Sequence, residues 1–367
     1  VPVADCAVTT VSLDTHLGEA MAMGERTPLA LLDGPASGRM AVAEAITNIL
    51  AAPIESLSDI KLSANWMCAA GFEGDDAVLY NTVAAVGRDF CPALGITIPV
   101  GKDSMSMRTV WQEEGEDRAV TAPVSLIVSA FAPCDDVRAV VTPVLSSRED
   151  TALLLVDLGR GRDRMGGSVL AQVWQQMGSS APDVNTEDIR AFFELIKKAK
   201  DNDWVLAYHD RCVGGVLFTL LGVTFAGRCG LQVDLDVSPD KANARLFSEE
   251  AGAVLQVAAE HVSDVLACAD AVGLGDAVTR IATPRADGRI VVNTPQFELI
   301  DSRREALQSL WAETSHAIAR VRDNADCADQ EFAAIQAQDP GLSAQLSYDC
   351  NADIAAPFIA TGQRPRI

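Results

Sequence analysis

The chain has 367 residues, 49% of them apolar, and a formal net charge of −22. Its length suggests two or three structural units, and its apolar share supports a real core, which excludes an intrinsically disordered chain. Its acidity argues against nucleic-acid and anionic-membrane partners, which need clustered Lys and Arg, so a phosphate ligand would call for backbone N–H groups and a divalent cation.

In chain order, residues 1–12 alternate like a strand, and "PLALLD" is a short apolar run ending at Asp33. A helix is predicted from Pro35, with Val42, Ala45, Ile46, Ile49 and Leu50 on one buried face. "IKLSANWM" (60–67) reads as a strand and 75–94 as one helix, striped by Val78, Leu79, Val83, Val86 and Phe90. "GITIPV" (95–100) reads as a strand leading into the loop "GKDSMSM", and "TAPVSLIVSAFA" (121–132) as another strand. The segment 133–143 reads as a domain joint. A second unit opens near Asp150 with the unbroken apolar strand "TALLLVDLG", followed by a glycine-rich loop and a helix. Helices are predicted over 187–200, 214–227, 262–271 and 302–322, and strands over 204–210, 231–237, 251–261 and within 289–300. Beyond Asn324 the chain reads as a polar, irregular linker. The expected class is α/β (α+β).

Nine cysteines are scattered without a C-x-x-C pair, and only four histidines are present, so no zinc pattern arises. Such thiols read as reduced and cytosolic, and no charge-free run reaches membrane-spanning length. The first residue is not Met, and the chain opens inside a predicted strand, so it reads as a fragment.

Several constellations could carry chemistry. Glu44 and Asn48 lie four apart on a helix, so they share a face, and two oxygen donors there suit a hard cation such as Mg²⁺. A solvated helix face is the alternative. Asp5, in an otherwise apolar strand, needs a partner or a metal, unless it caps a turn. In "AYHDRCVGGVLF", Asp210 ends a strand and Gly214-Gly215 begins a helix, a place where α/β sheets bind ligands and helix amides attract anions. A tight turn capped by Asp210 is the alternative. In "PVGKDSMSM", Gly101, Lys102 and Ser104 could meet an anion, or form a polar hairpin loop. The glycines 159, 161, 166 and 167 miss the dinucleotide-binding spacing, because Arg164 stands where a glycine is required. His16, His261 and His316 join no nucleophile motif, and no Ser-His-Asp or Cys-His arrangement can be drawn.

Taken in order, "MGERTPLALLD", "AVAEAITNI", "KLSANWM", "LGITIPVGKDSMSM", "AYHDRCVGG", "RLFSEEAGAVLQV", "LWAETSHAIARVRDN" and "DIAAPFIATGQRP" span essentially the whole chain. This run closely resembles the large, single-chain phosphoribosylformylglycinamidine synthases of purine biosynthesis. Those enzymes convert formylglycinamide ribonucleotide to the amidine with ATP, Mg²⁺ and glutamine. The resemblance implies an aminoimidazole ribonucleotide synthetase-like pair of α/β units, matching the second of two synthetase repeats. Units are then expected at 1–140 and 141–324, with 325–367 leading toward a glutaminase domain. The first repeat and the glutaminase would be its partners. The resemblance further implies an auxiliary Mg²⁺–ADP site that is not turned over. Asp5, Glu44, Asn48 and Asp210 match its metal ligands, and Ala4 and Cys212 its nucleotide contacts. Gly101, Lys102 and Ser104 match a substrate-approaching loop. The family usually reads His-Asp-Arg-Ser-Asp-Gly-Gly, whereas this chain has Cys212 and Val213, a weaker donor and one polar group fewer. A non-catalytic nucleotide-binding module and a stand-alone aminoimidazole ribonucleotide synthetase-like enzyme are the rival expectations.

Overall fold

The structure, a computed structural model, describes residues 3–211, 213–337, 342–359, 361 and 362. The chain divides into two compact units, Val1–Trp311 and Ala312–Ile367.

The first unit begins with β1 (Cys6–Thr10) and β2 (Gly18–Glu25), then α1 (Gly34–Ile49), β3 (Lys61–Met67) and α2 (Asp75–Ala84). A π-helical turn, Ala85–Phe90, joins α2 to the short α3 (Cys91–Leu94). Then come β4 (Thr97–Ser104), β5 (Arg108–Glu113), β6 (Glu116–Thr121) and β7 (Ser125–Cys134). Five of these strands form a sheet in the order β1-β2-β7-β3-β4, while β5 and β6 form a separate hairpin. In β2 the small residues Gly18, Ala20, Ala22 and Gly24 point inward, and α1 packs close: a Cβ on Gly24 would lie 2.2 Å from the Ala41 carbonyl oxygen. Asp33 caps α1 by accepting a hydrogen bond from the Ala36 N–H at 2.9 Å.

A second sheet follows in the same unit. Its elements are β8 (Thr151–Asp157), α4 (Val169–Val173), α5 (Thr186–Asp201), β9 (Val205–Asp210), α6 (Gly215–Gly227), β10 (Gly230–Asp234), α7 (Pro239–Phe247), β11 (Gly252–Ala258), α8 (Val262–Ala271), β12 (Val278–Arg285), β13 (Arg289–Asn293) and β14 (Glu298–Arg303). Seven strands lie in the order β14-β13-β10-β12-β8-β11-β9. β8 and β11 are buried along their whole length, as their unbroken apolar runs require. One core joins the two sheets: Met40, Val42 and Ile46 of α1 cluster with Leu62, Leu154, Val156, Phe192 and Leu255. The helix α1 is therefore covered on more than one side. The Tyr208 hydroxyl of β9 donates to the Thr47 carbonyl oxygen at 2.5 Å, fixing the end of β9 against α1.

The last helix of this unit, α9 (Arg304–Arg322), continues past Trp311. In the second unit, α10 (Ala325–Ala333) replaces the start of the irregular linker expected beyond Asn324, and α11 (Ala356–Ile359) is short. Asn324 caps α10 from its side chain, and His316 stacks on Phe332 at 4.2 Å. Among the described residues, no helix is long and apolar enough to cross a membrane.

Two further expectations change. The single helix over 75–94 is interrupted by the π turn just before Pro92, which has no N–H to continue an i−4 ladder. Within α2, ahead of that turn, Thr82 is buried and Val83 of the expected stripe is exposed. The "GKDS" loop is instead the end of β4, paired in parallel with β3 through Ser104.

Candidate metal centre

The centre forms where the edge strand of one sheet meets the edge strand of the other. Asp5 immediately precedes β1, and Asp210 is the last residue of β9. Between them sits His209, whose Nδ1 lies 2.9 Å from Asp210 Oδ1 and whose Nε2 lies 3.6 Å from Asp5 Oδ2. These three residues can offer ligand atoms that all lie within 4.8 Å of one another. The period-2 rule would turn His209 away from Asp210, but at the strand end both side chains reach the same site.

Helix α1 brings Glu44 and Asn48 to the same place. Both line one open cavity of about 410 Å³ together with Asp5, His209 and Asp210. Asn48 is 8% exposed. Its Nδ2 donates to the Met23 carbonyl oxygen at 2.8 Å, which leaves Oδ1 aimed elsewhere, buried and without a hydrogen-bond partner. An unpaired buried acceptor is costly, and a cation is one of few groups that would satisfy it beside carboxylates. Glu44 accepts from the Glu25 backbone N–H at 2.7 Å and pairs with Arg26 at 2.9 Å.

The electrostatics show strain among like charges. Burial pushes the Asp5 carboxyl up to about 6, and repulsion from Asp210 adds to this. Burial also pushes Glu44 up to about 7; Arg26 opposes the rise and Asp210 increases it. Burial disfavours charge on His209, but the hydrogen bond to Asp210 and the charges of Asp210 and Asp5 outweigh it, so its pKa is raised. Three carboxylates, one amide oxygen and an imidazole form an oxygen-rich donor set. That chemistry fits a hard divalent cation such as Mg²⁺, which Asp5, Glu44, Asn48 and Asp210 would hold if it bound here.

Of the remaining sequence candidates, Ala4 is exposed and lines a smaller neighbouring cavity of about 40 Å³ with Asp5, Asn48 and Asp210. Cys212 lies outside the described residues. Gly101, Lys102 and Ser104 lie in β4, at the opposite edge of the first sheet from β1. Four strand spacings of ~4.8 Å put them roughly 19 Å from the acids. Lys102 Nζ is 2.6 Å from Ser104 Oγ, and a Cβ on Gly101 would lie 2.4 Å from the Ala64 carbonyl oxygen. That glycine is thus explained by the close approach of β3.

The Gly214-Gly215 turn also has a packing role. Both have positive φ, and a Cβ on Gly215 would lie 2.7 Å from the carbonyl oxygens of Leu246 and Ser248. The Gly214 N–H is held by Glu249 at 2.9 Å, as is the Val169 N–H. The glycine-rich loop is similarly filled from within: Asp157 accepts from the N–H groups of Gly159 and Gly161 and pairs with the buried Arg211 at 2.8 Å. Internal carboxylates thus occupy amides that the sequence alone offers to an external anion.

Sequence reasoning missed His209 and Arg26. Arg26 is 4% exposed and reaches Glu44 at 2.9 Å and Glu249 at 3.5 Å, so it links the acid cluster to the glycine turns. Arg26 follows β2 directly, and no local pattern marks it as buried.

Residues 1–133 match the family model for the FGAR-AT PurM_N-like domain, and residues 148–294 that for the AIR synthase related protein C-terminal domain. Among solved structures, the fold is similar to Thermotoga maritima PurL complexed with FGAR, with a TM-score of 0.63 at 14% identity. That match covers 83% of this chain and 48% of PurL, so the chain spans about half the length of that relative. Phosphoribosylformylglycinamidine synthase II from the same organism matches with a TM-score of 0.63 at 15% identity, covering 83% of this chain and 46% of that one. Hydrogenase maturation protein HypE in complex with ATP matches with a TM-score of 0.56 at 15% identity, covering 80% of this chain and 88% of HypE. The chain therefore has a mixed α/β fold in which an AIR synthase-like N-terminal domain is followed by an AIR synthase-like C-terminal domain.

Proposed function

We propose that the chain is a cytosolic synthetase unit of a phosphoribosylformylglycinamidine synthase and holds Mg²⁺–ADP at the acid cluster as a structural nucleotide. The reading rests above all on the convergence of Asp5, Glu44, Asn48 and Asp210, from two sheets and a helix, around one cavity with the Asn48 Oδ1 atom unpartnered. Asp5, Glu44 and Asp210 would repel a bare diphosphate. Mg²⁺, when bound, would offset charge on the phosphates. The chain's own residues hold and orient: His209 bridges Asp5 and Asp210, and Arg26 fixes Glu44. Amidation of formylglycinamide ribonucleotide with ATP and glutamine is proposed for the whole enzyme, with β4 near Gly101, Lys102 and Ser104 as a separate substrate-facing edge. The unit boundaries proposed are 1–140 and 141–324, with 325–367 leading on toward a glutaminase domain.

Calorimetric titration with ADP in excess Mg²⁺ tests the reading. Binding is expected, and Asp210→Ala is expected to abolish it. Undiminished binding by that variant refutes the metal assignment. A second reading is favoured by the HypE match, which covers 88% of a protein solved with ATP. On that reading the unit works alone and turns ATP over. Steady release of phosphate from ATP by this chain alone would favour it.

A further inference from the structure

The cavity at the acids has a second end of opposite character. Phe218, Gly222 and Phe225 lie at i, i+4 and i+7 of α6, so they share one face, and all three line the cavity. Trp311 closes this end, its ring 5.7 Å from that of Phe225. Val213 also lines the cavity, as does Met23, whose carbonyl oxygen accepts from Asn48 Nδ2 at the acid end. Phe225 is buried, yet Trp311 is 50% exposed, Val213 46% and Phe218 36%. Phe225 belongs to the core, but Trp311, Val213 and Phe218 stay part-exposed around a cavity beside three carboxylates, which sets them apart from ordinary scattered surface. Gly222 keeps the middle of the wall open.

A ligand matching both ends carries a polyanion, bridged to the acids by a cation, and a flat apolar ring. At about 410 Å³ the cavity falls in the usual range for small-molecule sites. Among the described residues, the side chains at the ring end are aromatic and aliphatic, and the Trp311 indole N–H is the one polar group they carry. A base laid there is gripped by its faces, and stacking tolerates any base because each has a π face. We infer that the site takes a nucleoside diphosphate whose base stacks against the Phe218–Trp311 wall with its hydrogen-bonding edge unread, so that adenine and guanine nucleotides are accepted alike. This rests on the nucleotide reading proposed above.

The test uses the full chain in excess Mg²⁺, titrated calorimetrically with ADP, GDP and inorganic pyrophosphate. ADP and GDP are expected to agree within about fivefold, and both to bind at least tenfold tighter than pyrophosphate. Trp311→Ala and Phe218→Ala are expected to weaken ADP and GDP on the order of tenfold and leave pyrophosphate unchanged, with Trp311→Phe restoring most of the loss. Both residues are part-exposed, so thermal melts are expected to show these variants folded. A preference for ADP over GDP beyond fivefold overturns the inference, as does pyrophosphate binding equal to ADP, or ADP affinity unchanged in both alanine variants. If pyrophosphate binds and Asp210→Ala abolishes it while the base adds nothing, the metal reading stands and only this inference falls. If no ligand binds at all, both fall.

Discussion

Without a divalent cation, the protein is expected to lose stability as pH rises from about 4.5 to about 7, and Glu44→Gln is expected to remove most of that loss. The folded protein keeps a proton on Glu44 up to about pH 7, whereas the unfolded chain releases it near 4.5. Folding therefore takes up a proton between those values, and the stabilisation, complete below the lower pH, disappears through the upper one. At ~1.4 kcal/mol per tenfold, the difference amounts to about 3 kcal/mol. Glu44 is only 12% exposed, so solvent screening takes little from that figure. Asp5 acts in the same direction, its carboxyl raised to about 6, but it is 46% exposed, and it is common to both proteins. Urea unfolding of wild type and variant at pH 5 and pH 8, in chelator and at fixed ionic strength, measures the effect. The difference in unfolding free energy is expected to move by about 3 kcal/mol in favour of the variant at the higher pH. Mg²⁺ at a hundredfold over its Kd would then return ~2.7 kcal/mol to the wild type at pH 8 and much less to the variant. Parallel pH profiles for the two proteins would refute the placement of Glu44 in a buried, repelling cluster.

Two other outcomes follow from the geometry. Lys200 donates to the carbonyl oxygens of Leu50 and Ala52 at the end of α1, and burial lowers its pKa to about 8. Between pH 8 and 10.5 the unfolded chain holds that proton and the folded one does not, so wild-type stability is expected to gain on Lys200→Met across that window in chemical denaturation. Gly222→Ala sets a methyl 3.7 Å from His209 Nε2 and from the Val3 side chain, an ordinary contact inside the cavity. Its melting temperature is expected to hold or rise, since Ala favours a helix by up to ~1 kcal/mol over Gly, while Mg²⁺–ADP affinity in calorimetry falls severalfold.

Long periodic segments were legible because one physical cause sets them. The stripe around Val42 and Ile46 predicts a helix from Pro35, and α1 spans Gly34–Ile49. The unbroken run at 151–159 predicts a doubly covered strand, and β8 is buried throughout. β2 escaped because its inward residues are Gly and Ala, too small to stand out as an apolar alternation, yet small size is what lets α1 approach. The helix face of Glu44 and Asn48 reads as solvated in isolation. It is buried because β9 of the second sheet lies against it, a contact between residues some 160 positions apart that no local pattern encodes. His209 was hidden by the alternation rule that holds inside a strand and lapses at its end. At the glycines no motif reveals that Glu249 accepts from the Gly214 N–H, or Asp157 from those of Gly159 and Gly161.

Asp5 and Asp210 are 210 − 5 = 205 positions apart, yet His209 is within 3.6 Å of Asp5. A cation shared by the two carboxylates would act as a reversible cross-link between distant parts of the chain. If it were held as firmly as a covalent bridge, closing so long a loop would remove roughly 5 kcal/mol of chain entropy from the unfolded state. Much of what the ion does would then be felt far from the phosphates, as a clasp that keeps two β-sheets from parting.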